Sequence, residues 1–231
     1  MNVNDFNIEI PEGDKLTIIF DHQRSLMNKY HSIETKNVGY LVPSRPGKLG
    51  DHDGALDIND RSCQLQLKSF AWRITEELTE ATVCLTRNMT ENDETHFLEE
   101  IIDALHFSVE FCIMSGVHES VGTDEPVTLE HHFTVSDNNP LNLYDVESQE
   151  LMRSIVYRSV EKLGEACNRL KLKPWKSTAI MTDVAAYQEN VREYFQTFVD
   201  VCKASGFTPE SATAMYLNKN AVNQFRIRSN Y

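Results

Sequence analysis

The chain has 231 residues, of which 41 % are hydrophobic, and its formal net charge is −13 at pH 7. This length suits one large domain, 1–231, or a core domain with a sizeable insertion. The excess of acidic residues argues against nucleic acid as a partner, because phosphate binding needs clustered Lys and Arg, but it is compatible with a site that collects cations.

The cysteines and the apolar runs narrow the class of protein further. The five cysteines are widely spaced and form no CxxC pair, which is typical of buried thiols in a reducing compartment rather than of a disulfide framework or a zinc site. No apolar run approaches transmembrane length, and residues 1–10 do not resemble a signal peptide. The sequence therefore predicts a soluble, cytoplasmic protein without a membrane partner.

Apolar residues recur with helical periodicity along most of the chain, and this pattern predicts an all-α fold. Gly, Pro, Asn and Asp interrupt the pattern at about 115–147, where we expect an irregular insertion with room for a short hairpin. A Gly- and Pro-rich stretch at 39–60 reads as a loop, and it lacks the glycine spacing of a phosphate loop or an EF-hand. The predicted helices are six, at about 16–34, 62–87, 91–114, 147–170, 177–204 and 209–224.

Three of these helix ends carry local signals. Thr90 is a suitable N-cap for the third helix, with Asp93 completing a capping box. Thr208 followed by Pro209 marks the start of the last helix, and Gly206 closes the helix before it.

Two pairs of acidic residues stand out. Glu100 and Asp103 lie three residues apart in a stretch that is otherwise apolar, so they share one helical face with Cβ atoms roughly 5–6 Å apart. Glu77 and Glu80 repeat this spacing on the preceding helix. Burying such acids is costly unless a cation or a hydrogen-bond network compensates them. The alternative is that both pairs are solvated helix faces.

Carboxylates are hard oxygen ligands, which suit Mg²⁺ or Mn²⁺. Cations bound there would bridge the phosphates of a nucleotide, and one carboxylate could orient or deprotonate an attacking water. The acid pairs therefore predict a metal-dependent reaction on a phosphate ester or anhydride.

The C-terminal stretch is basic in a chain that is otherwise acidic. Lys219, Asn223 and Arg226 follow one another at spacings of four and three, so they share a helical face that can hold phosphate oxygens. The alternative is a basic last turn that complements the helix dipole. The histidines are weaker signals: His118, His131 and His132 lack a metal-ligand spacing, and His106 reads as a packed core residue.

Four segments in this order resemble the dimeric all-α dUTPase family, which belongs to the MazG-type pyrophosphohydrolase superfamily and includes phage enzymes acting on dUTP and dCTP. They are DHQRSLMNKY, EELTE, EEIIDALHF and YLNKNAVNQFRIRSNY, and together they span nearly the whole chain. The resemblance implies hydrolysis of dUTP to dUMP and pyrophosphate, which sanitises the nucleotide pool. It also implies two or more Mg²⁺ ions, a homodimer, and the host cytoplasm as location if the source is a phage.

The resemblance also assigns the acidic residues. It implies Mg²⁺ ligands at Glu77, Glu80, Glu100 and Asp103, and a catalytic role for Glu77 or Glu80 in preparing the water. Glu76 would lie about 100° around the helix from Glu77, which makes Glu77 with Glu80 the better register.

The remaining family positions would bind the substrate. Gln23, on the first helix, is expected to contact the nucleoside, although the helix pattern alone leaves both Gln23 and Asn28 exposed. Phe107 and Asp103 would lie beside the deoxyribose, where an aromatic ring against C2′ rejects a ribose hydroxyl. The other implied contacts are the base at Asn223, the phosphates at Lys219, Arg226 and Asn220, and a closing C-terminus at Tyr231.

One departure and three rivals qualify this interpretation. Relatives place a Lys- and Trp-rich segment between the two acidic helices, whereas here Lys173, Trp175 and Lys176 come much later. A dCTPase or dual dCTP/dUTP enzyme is the nearest rival, because an amide can present its donor or its acceptor to a pyrimidine. A di-iron carboxylate bundle would need a second ExxH motif, which is missing. A helical binding module would not explain the acids.

Overall fold

The fold is all-α, as predicted. A computed structural model describes residues 8–38, 54–117, 127–171, 173, 175–177 and 180–229, and within them it contains seven helices and no strand. The helices are α1 (Lys15–Val38), α2 (Arg61–Cys84), α3 (Glu91–Met114), α4 (Leu129–Val135), α5 (Val146–Arg169), α6 (Val184–Ala204) and α7 (Pro209–Arg228).

Six of these helices correspond to the predicted ones, and the seventh corrects the expectation for the insertion. The described part of that insertion forms the short helix α4 where a hairpin had been allowed for. Thr128 caps it by accepting a hydrogen bond from the His131 amide at 3.1 Å. Leu129 and Phe133, four residues apart, are both buried, because this spacing places them on one face of a helix.

The start of α6 is a second difference, because the helix begins at Val184 and not at 177. Asp183 accepts a hydrogen bond from the Ala186 amide and so caps the helix there. The buried Thr182 hydroxyl accepts from the side chain of Gln64 at 3.1 Å and from the Lys171 amide at 3.2 Å. These tertiary contacts hold the backbone before Asp183 outside the helix.

The predicted end signals are confirmed. Thr90 and Asp93 form a reciprocal capping box at α3, and Thr208 caps α7 ahead of Pro209. After α6, Gly206 adopts a φ of +90°, a left-handed conformation that glycine takes without a steric penalty.

Helix α3 lies at the centre of the bundle. It packs against α1, α2, α6 and α7, while α5 and α6 form a second close pair. Fourteen of its 24 residues are buried, which matches a sequence that is apolar on nearly every side. The acids that α3 carries are therefore held on a rigid element surrounded by other helices.

All five cysteines are free thiols, and four of them are buried. Burial raises the pKa of Cys63 to about 12, so this thiol stays neutral. In the part of the chain that the structure describes, no helix combines the length and the hydropathy needed to cross a membrane.

Candidate active site

A cavity of about 320 Å³ opens between α1, α2, α3 and α7. Each helix contributes side chains at helical spacings of three or four, so four stripes face one another across the cavity. Two of the predicted acids and five of the other predicted substrate-binding residues lie in its wall. The lining residues are Gln23, Leu26, Tyr30, Phe70, Arg73, Glu77, Asp103, His106, Phe107, Glu110, Lys219, Asn223 and Arg226.

Three of the four predicted metal ligands converge on one point. Carboxylate oxygens of Glu77, Glu80 and Glu100 all lie within 4.8 Å of one another. Glu100 is buried, Glu77 is half-buried and Glu80 is exposed, so the group extends from the helix interface toward solvent. Oxygen ligands at this separation fit a hard divalent cation.

The acidic group concentrates negative charge in a partly buried place. Burial, the neighbouring carboxyl of Glu100 and the charges of Asp103 and Glu80 raise the pKa of Glu77 to about 8. A carboxyl that keeps its proton near neutral pH indicates that the group holds more negative charge than it can stabilise without a cation. His96 is near enough to contribute, since its Nδ1 lies 3.1 Å from an oxygen of Glu100.

Asp103 lies at the cavity wall but outside this close group of three. One of its carboxylate oxygens lies 2.6 Å from Nζ of Lys219, so the acid on α3 is paired with the base on α7. Burial nevertheless raises the pKa of Asp103, because desolvation outweighs the opposing effect of the lysine.

The register predicted for the acidic pair on α2 agrees with the structure. Glu76 is exposed and accepts a hydrogen bond from the indole of Trp72 at 2.6 Å. It points away from the cavity, whereas Glu77 lines it.

Gln23 is only 2 % exposed, which corrects the solvent-exposed placement that helix periodicity alone suggested; Asn28 is exposed as expected. The amide nitrogen of Gln23 donates to Glu110 at 2.8 Å. Its amide oxygen lies 3.1 Å from Nδ1 of His106 and accepts from the Tyr216 hydroxyl at 2.5 Å. The predicted nucleoside contact is therefore part of a buried polar network.

His106 is a packed histidine, as its sequence context suggested. Its ring stacks on that of Tyr216 with centroids 3.9 Å apart, and burial lowers its pKa to about 3. The imidazole is thus neutral and can donate one N–H to Gln23.

The aromatic side of the cavity combines Phe107 with two residues that the sequence reading did not single out. The rings of Phe70 and Phe107 meet edge to face with centroids 6.1 Å apart. The guanidinium of Arg73 lies 4.8 Å from the centroid of Phe70 and 5.8 Å from that of Phe107. Their spacing could have identified them from the sequence. Arg73 and Phe70 precede Glu77 by four and seven residues, so they share its face of α2.

The candidate residues on α7 divide into those that line the cavity and one that does not. Lys219, Asn223 and Arg226 line the cavity, in agreement with their shared helical face. Asn220 does not, since it is only 1 % exposed and bonds to the His22 carbonyl and to Gln224. Tyr231 lies outside the described residues.

The other sequence candidates lie elsewhere. Trp175 is exposed, with the ammonium of Lys173 at 5.8 Å from its ring centroid, and neither residue nor Lys176 lines the cavity. His132 bonds to Gln196 at 2.6 Å. Among the described residues, the only group found with metal-ligand geometry is the acidic one, which includes no histidine; His118 is outside the described part.

Comparison with protein families gives a match to a family model described as dUTPase, over residues 76–231. The match includes the predicted metal ligands and the basic stripe on α7, and it begins after Gln23, Phe70 and Arg73. Comparisons with curated proteins and with solved structures give no significant match.

Proposed function

Because this chain belongs to the dUTPase family and is a dUTP diphosphatase, we propose that it hydrolyses dUTP in the cavity between α1, α2, α3 and α7. The observation that carries this assignment is the convergence of three carboxylates within 4.8 Å, one of which, Glu77, lines a cavity that Lys219 and Arg226 also line. Acids that can collect cations and bases that can collect phosphates therefore meet at one cavity, as a nucleoside triphosphate with its metal ions requires.

Divalent cations are the natural compensation for the acidic group. Glu77, Glu80 and Glu100 would hold them, with Asp103 joining once it is released from Lys219. We propose Mg²⁺ in two or more sites, with Mn²⁺ as a substitute, since both prefer oxygen ligands. Bound there, such ions neutralise the phosphate oxygens and lower the pKa of a bound water.

The carboxylates also supply the general base, which is the group that accepts the proton of the attacking water. Glu77 is half-buried and carries a pKa raised to about 8 in the absence of a cation, and cation binding would return it to the ionised form. We assign Glu77, with Glu80 beside it, the task of orienting the water and accepting its proton. The water oxygen would then form a bond to the α-phosphorus while the bond from that phosphorus to the oxygen bridging the α- and β-phosphates breaks, and dUMP and pyrophosphate leave.

The remaining lining residues fix the orientation of the nucleotide. Lys219 and Arg226 are placed to bind phosphate oxygens, and Arg73 adds a third cation on the same cavity wall as Phe107. Phe107 is proposed to pack against C2′ of the deoxyribose. Asn223 and Gln23 would read the base, both through side-chain amides.

We further propose that the active form is a homodimer that pairs through α2. Leu65, Trp72 and Val83 are 48 %, 64 % and 70 % exposed, and their spacing of seven and eleven residues aligns them along one side of the helix. An aligned apolar stripe that is exposed along a helix is a surface that a second copy would cover. Because α2 carries Glu77 and Glu80, the second subunit would then lie next to the site.

The test is pyrophosphate release by the purified protein with Mg²⁺, comparing dUTP, dCTP, dTTP and UTP. We expect dUTP to be the best substrate, and turnover to fall by about 10³-fold or more in Asp103→Asn, because the carboxylate charge that binds the cation is lost. Glu161→Gln, an exposed acid on α5, is the matched control and should retain activity. Full activity in Asp103→Asn would show that the reaction takes place elsewhere.

A further inference from the structure

Four buried side chains form a connected polar network at one wall of the cavity. Gln23 on α1 is at its centre, Glu110 and His106 on α3 contact the two ends of its amide, and Tyr216 on α7 completes it. All four are less than 9 % exposed, and three of them line the cavity. Glu110 is not among the residues to which the family resemblance assigns a role.

The network determines what the amide of Gln23 can still offer to a ligand. The amide oxygen has two lone pairs, which His106 and Tyr216 occupy. The amide nitrogen has two hydrogens, of which one goes to Glu110. What is left is a single N–H, so in this arrangement Gln23 can donate a hydrogen bond but cannot accept one.

Only one member of the network fixes this direction. The tyrosine hydroxyl can donate or accept, and a neutral imidazole can carry its proton on either nitrogen. We assign Glu110 the ionised state, in which a carboxylate can only accept. If the amide of Gln23 were turned around, its oxygen would face the carboxylate of Glu110 at the present 2.8 Å, with two acceptors in contact and no proton between them. Glu110 therefore determines which way the amide of Gln23 faces, and the protons of His106 and Tyr216 adjust to that orientation.

We propose that Glu110 is a positioning residue that makes Gln23 a hydrogen-bond donor toward the base and thereby selects uracil over cytosine. This inference rests on the proposed function, since it places the base beside Gln23. The two pyrimidines differ at N3, which donates in uracil and accepts in cytosine, and at C4, where uracil has a carbonyl that accepts and cytosine has an amino group that donates. The proposal places C4 beside Gln23. A fixed N–H of Gln23 pairs with the carbonyl, whereas it would meet the amino group of cytosine with two donors in contact.

The variant that tests the proposal is Glu110→Gln, which has nearly the same shape but can present either an oxygen or an N–H to Gln23. Both directions of the network then become accessible. We expect the ratio of kcat/KM for dUTP to that for dCTP to fall by about tenfold, the scale of one unsatisfied buried hydrogen bond. The change should come mainly from a better KM for dCTP.

Tyr216→Phe is the control inside the same network. It removes one hydrogen bond to the oxygen of Gln23 but leaves the carboxylate that sets the direction, so both nucleotides should lose activity together and the ratio should stay within about twofold of wild type. Tyr187→Phe removes a similar buried bond, to Ser115 at 2.7 Å, away from the cavity. It reports the effect of general destabilisation.

The outcomes separate this inference from the proposed function. A wild type that turns over dCTP as well as dUTP, or a Glu110→Gln variant whose ratio is unchanged, would overturn the role of Glu110. Either result would leave the site assignment standing as long as Asp103→Asn is inactive. If Asp103→Asn is active, the site assignment itself fails.

Discussion

Nζ of Lys219 on α7 lies 2.6 Å from a carboxylate oxygen of Asp103 on α3. This ion pair joins the basic wall of the cavity to its acidic side. Asp103 is also a proposed metal ligand, and Lys219 a proposed phosphate ligand. Binding of a metal–nucleotide complex would therefore break the ion pair, and Asp103 would then bind the metal while Lys219 binds the phosphate.

Replacing Lys219 should separate its effect on metal binding by Asp103 from its effect on nucleotide binding. In Lys219→Met, Asp103 loses its competing cation, so the affinity for Mn²⁺ alone is expected to rise by about threefold or more. The KM for dUTP is expected to rise by about tenfold, because a charged contact to phosphate is lost. Calorimetric titration with Mn²⁺ and steady-state kinetics measure the two quantities.

Lys162→Met is the control for this experiment, since Lys162 pairs with exposed acids on α5 and α6 at the surface. It should change neither quantity. Metal affinity that falls in Lys219→Met would mean that the lysine supports the acidic group instead of competing with the metal for it.

Glu100 is expected to be needed for turnover and to destabilise the metal-free protein. Burial is the main cause of the raised pKa of Glu77, and the Glu100 carboxyl adds to it through a hydrogen bond and through its negative charge. Glu100→Gln should therefore increase the free energy of unfolding without metal by about 1 kcal/mol, while pyrophosphate release is lost. Urea unfolding in the presence of a chelator provides the measurement.

Addition of Mg²⁺ should stabilise the wild type and leave the Glu100→Gln variant little changed. Glu161→Gln serves again as the surface comparison. If Glu100→Gln is less stable than wild type in chelator, Glu100 makes a structural contact whose stabilisation exceeds the cost of its charge among the other acids.

Phe107 should control discrimination against ribonucleotides. Its ring meets Phe70 edge to face and lies beside Arg73 at the cavity wall, and packed against C2′, as proposed, it would clash with a 2′-hydroxyl. Phe107→Ala is expected to raise the kcat/KM of UTP relative to dUTP by about tenfold, which is the scale of one group fitted into a tight pocket. Phe225→Ala, an exposed ring on α7, should not alter this ratio. Loss of both activities in parallel would point to packing alone.

His106 should make stability depend on pH. Its pKa in the folded protein is lowered to about 3, against about 6.5 in an unfolded chain. The unfolded state therefore takes up the proton first, and the stabilisation from His106, complete above about pH 6.5, is lost progressively as the pH falls toward 3. Urea unfolding between pH 7 and pH 4.5 should show a smaller decline in His106→Asn than in wild type.

The exposed His131→Asn is the comparison for this pH series, and it should decline as wild type does. Equal slopes in wild type and His106→Asn would mean that the buried imidazole does not contribute to acid destabilisation.

Trp72 provides the test of the proposed dimer. Trp72→Glu places a charge in the middle of the apolar stripe on α2, so sedimentation at micromolar concentration should show a monomer where the wild type is a dimer. Tyr157→Glu changes another exposed aromatic residue, on α5, and should leave the dimer intact. A wild type that sediments as a monomer would refute the assembly.

Much of this protein could be predicted from local pattern alone. Helix periodicity located six helices, and capping chemistry marked the starts of α3 and α7 at Thr90 and Thr208. The register of Glu77 over Glu76 and the shared face of Lys219, Asn223 and Arg226 also agree with the structure. These features depend only on the 3.6-residue repeat of a helix, which is fixed within a few turns of chain.

The rest depends on how the helices are rotated and packed against one another. Arg73 shares a face with Glu77, yet nothing local says that this face borders a cavity rather than solvent. Gln23 is a buried donor only because Glu110 and Tyr216, 87 and 193 residues away in the chain, arrive at its two ends. The sequence alone determined which residues each helix could present together. Tertiary packing decided which of those faces meet and which hydrogen-bonding atoms remain for a ligand, because such contacts join residues that no short-range repeat relates.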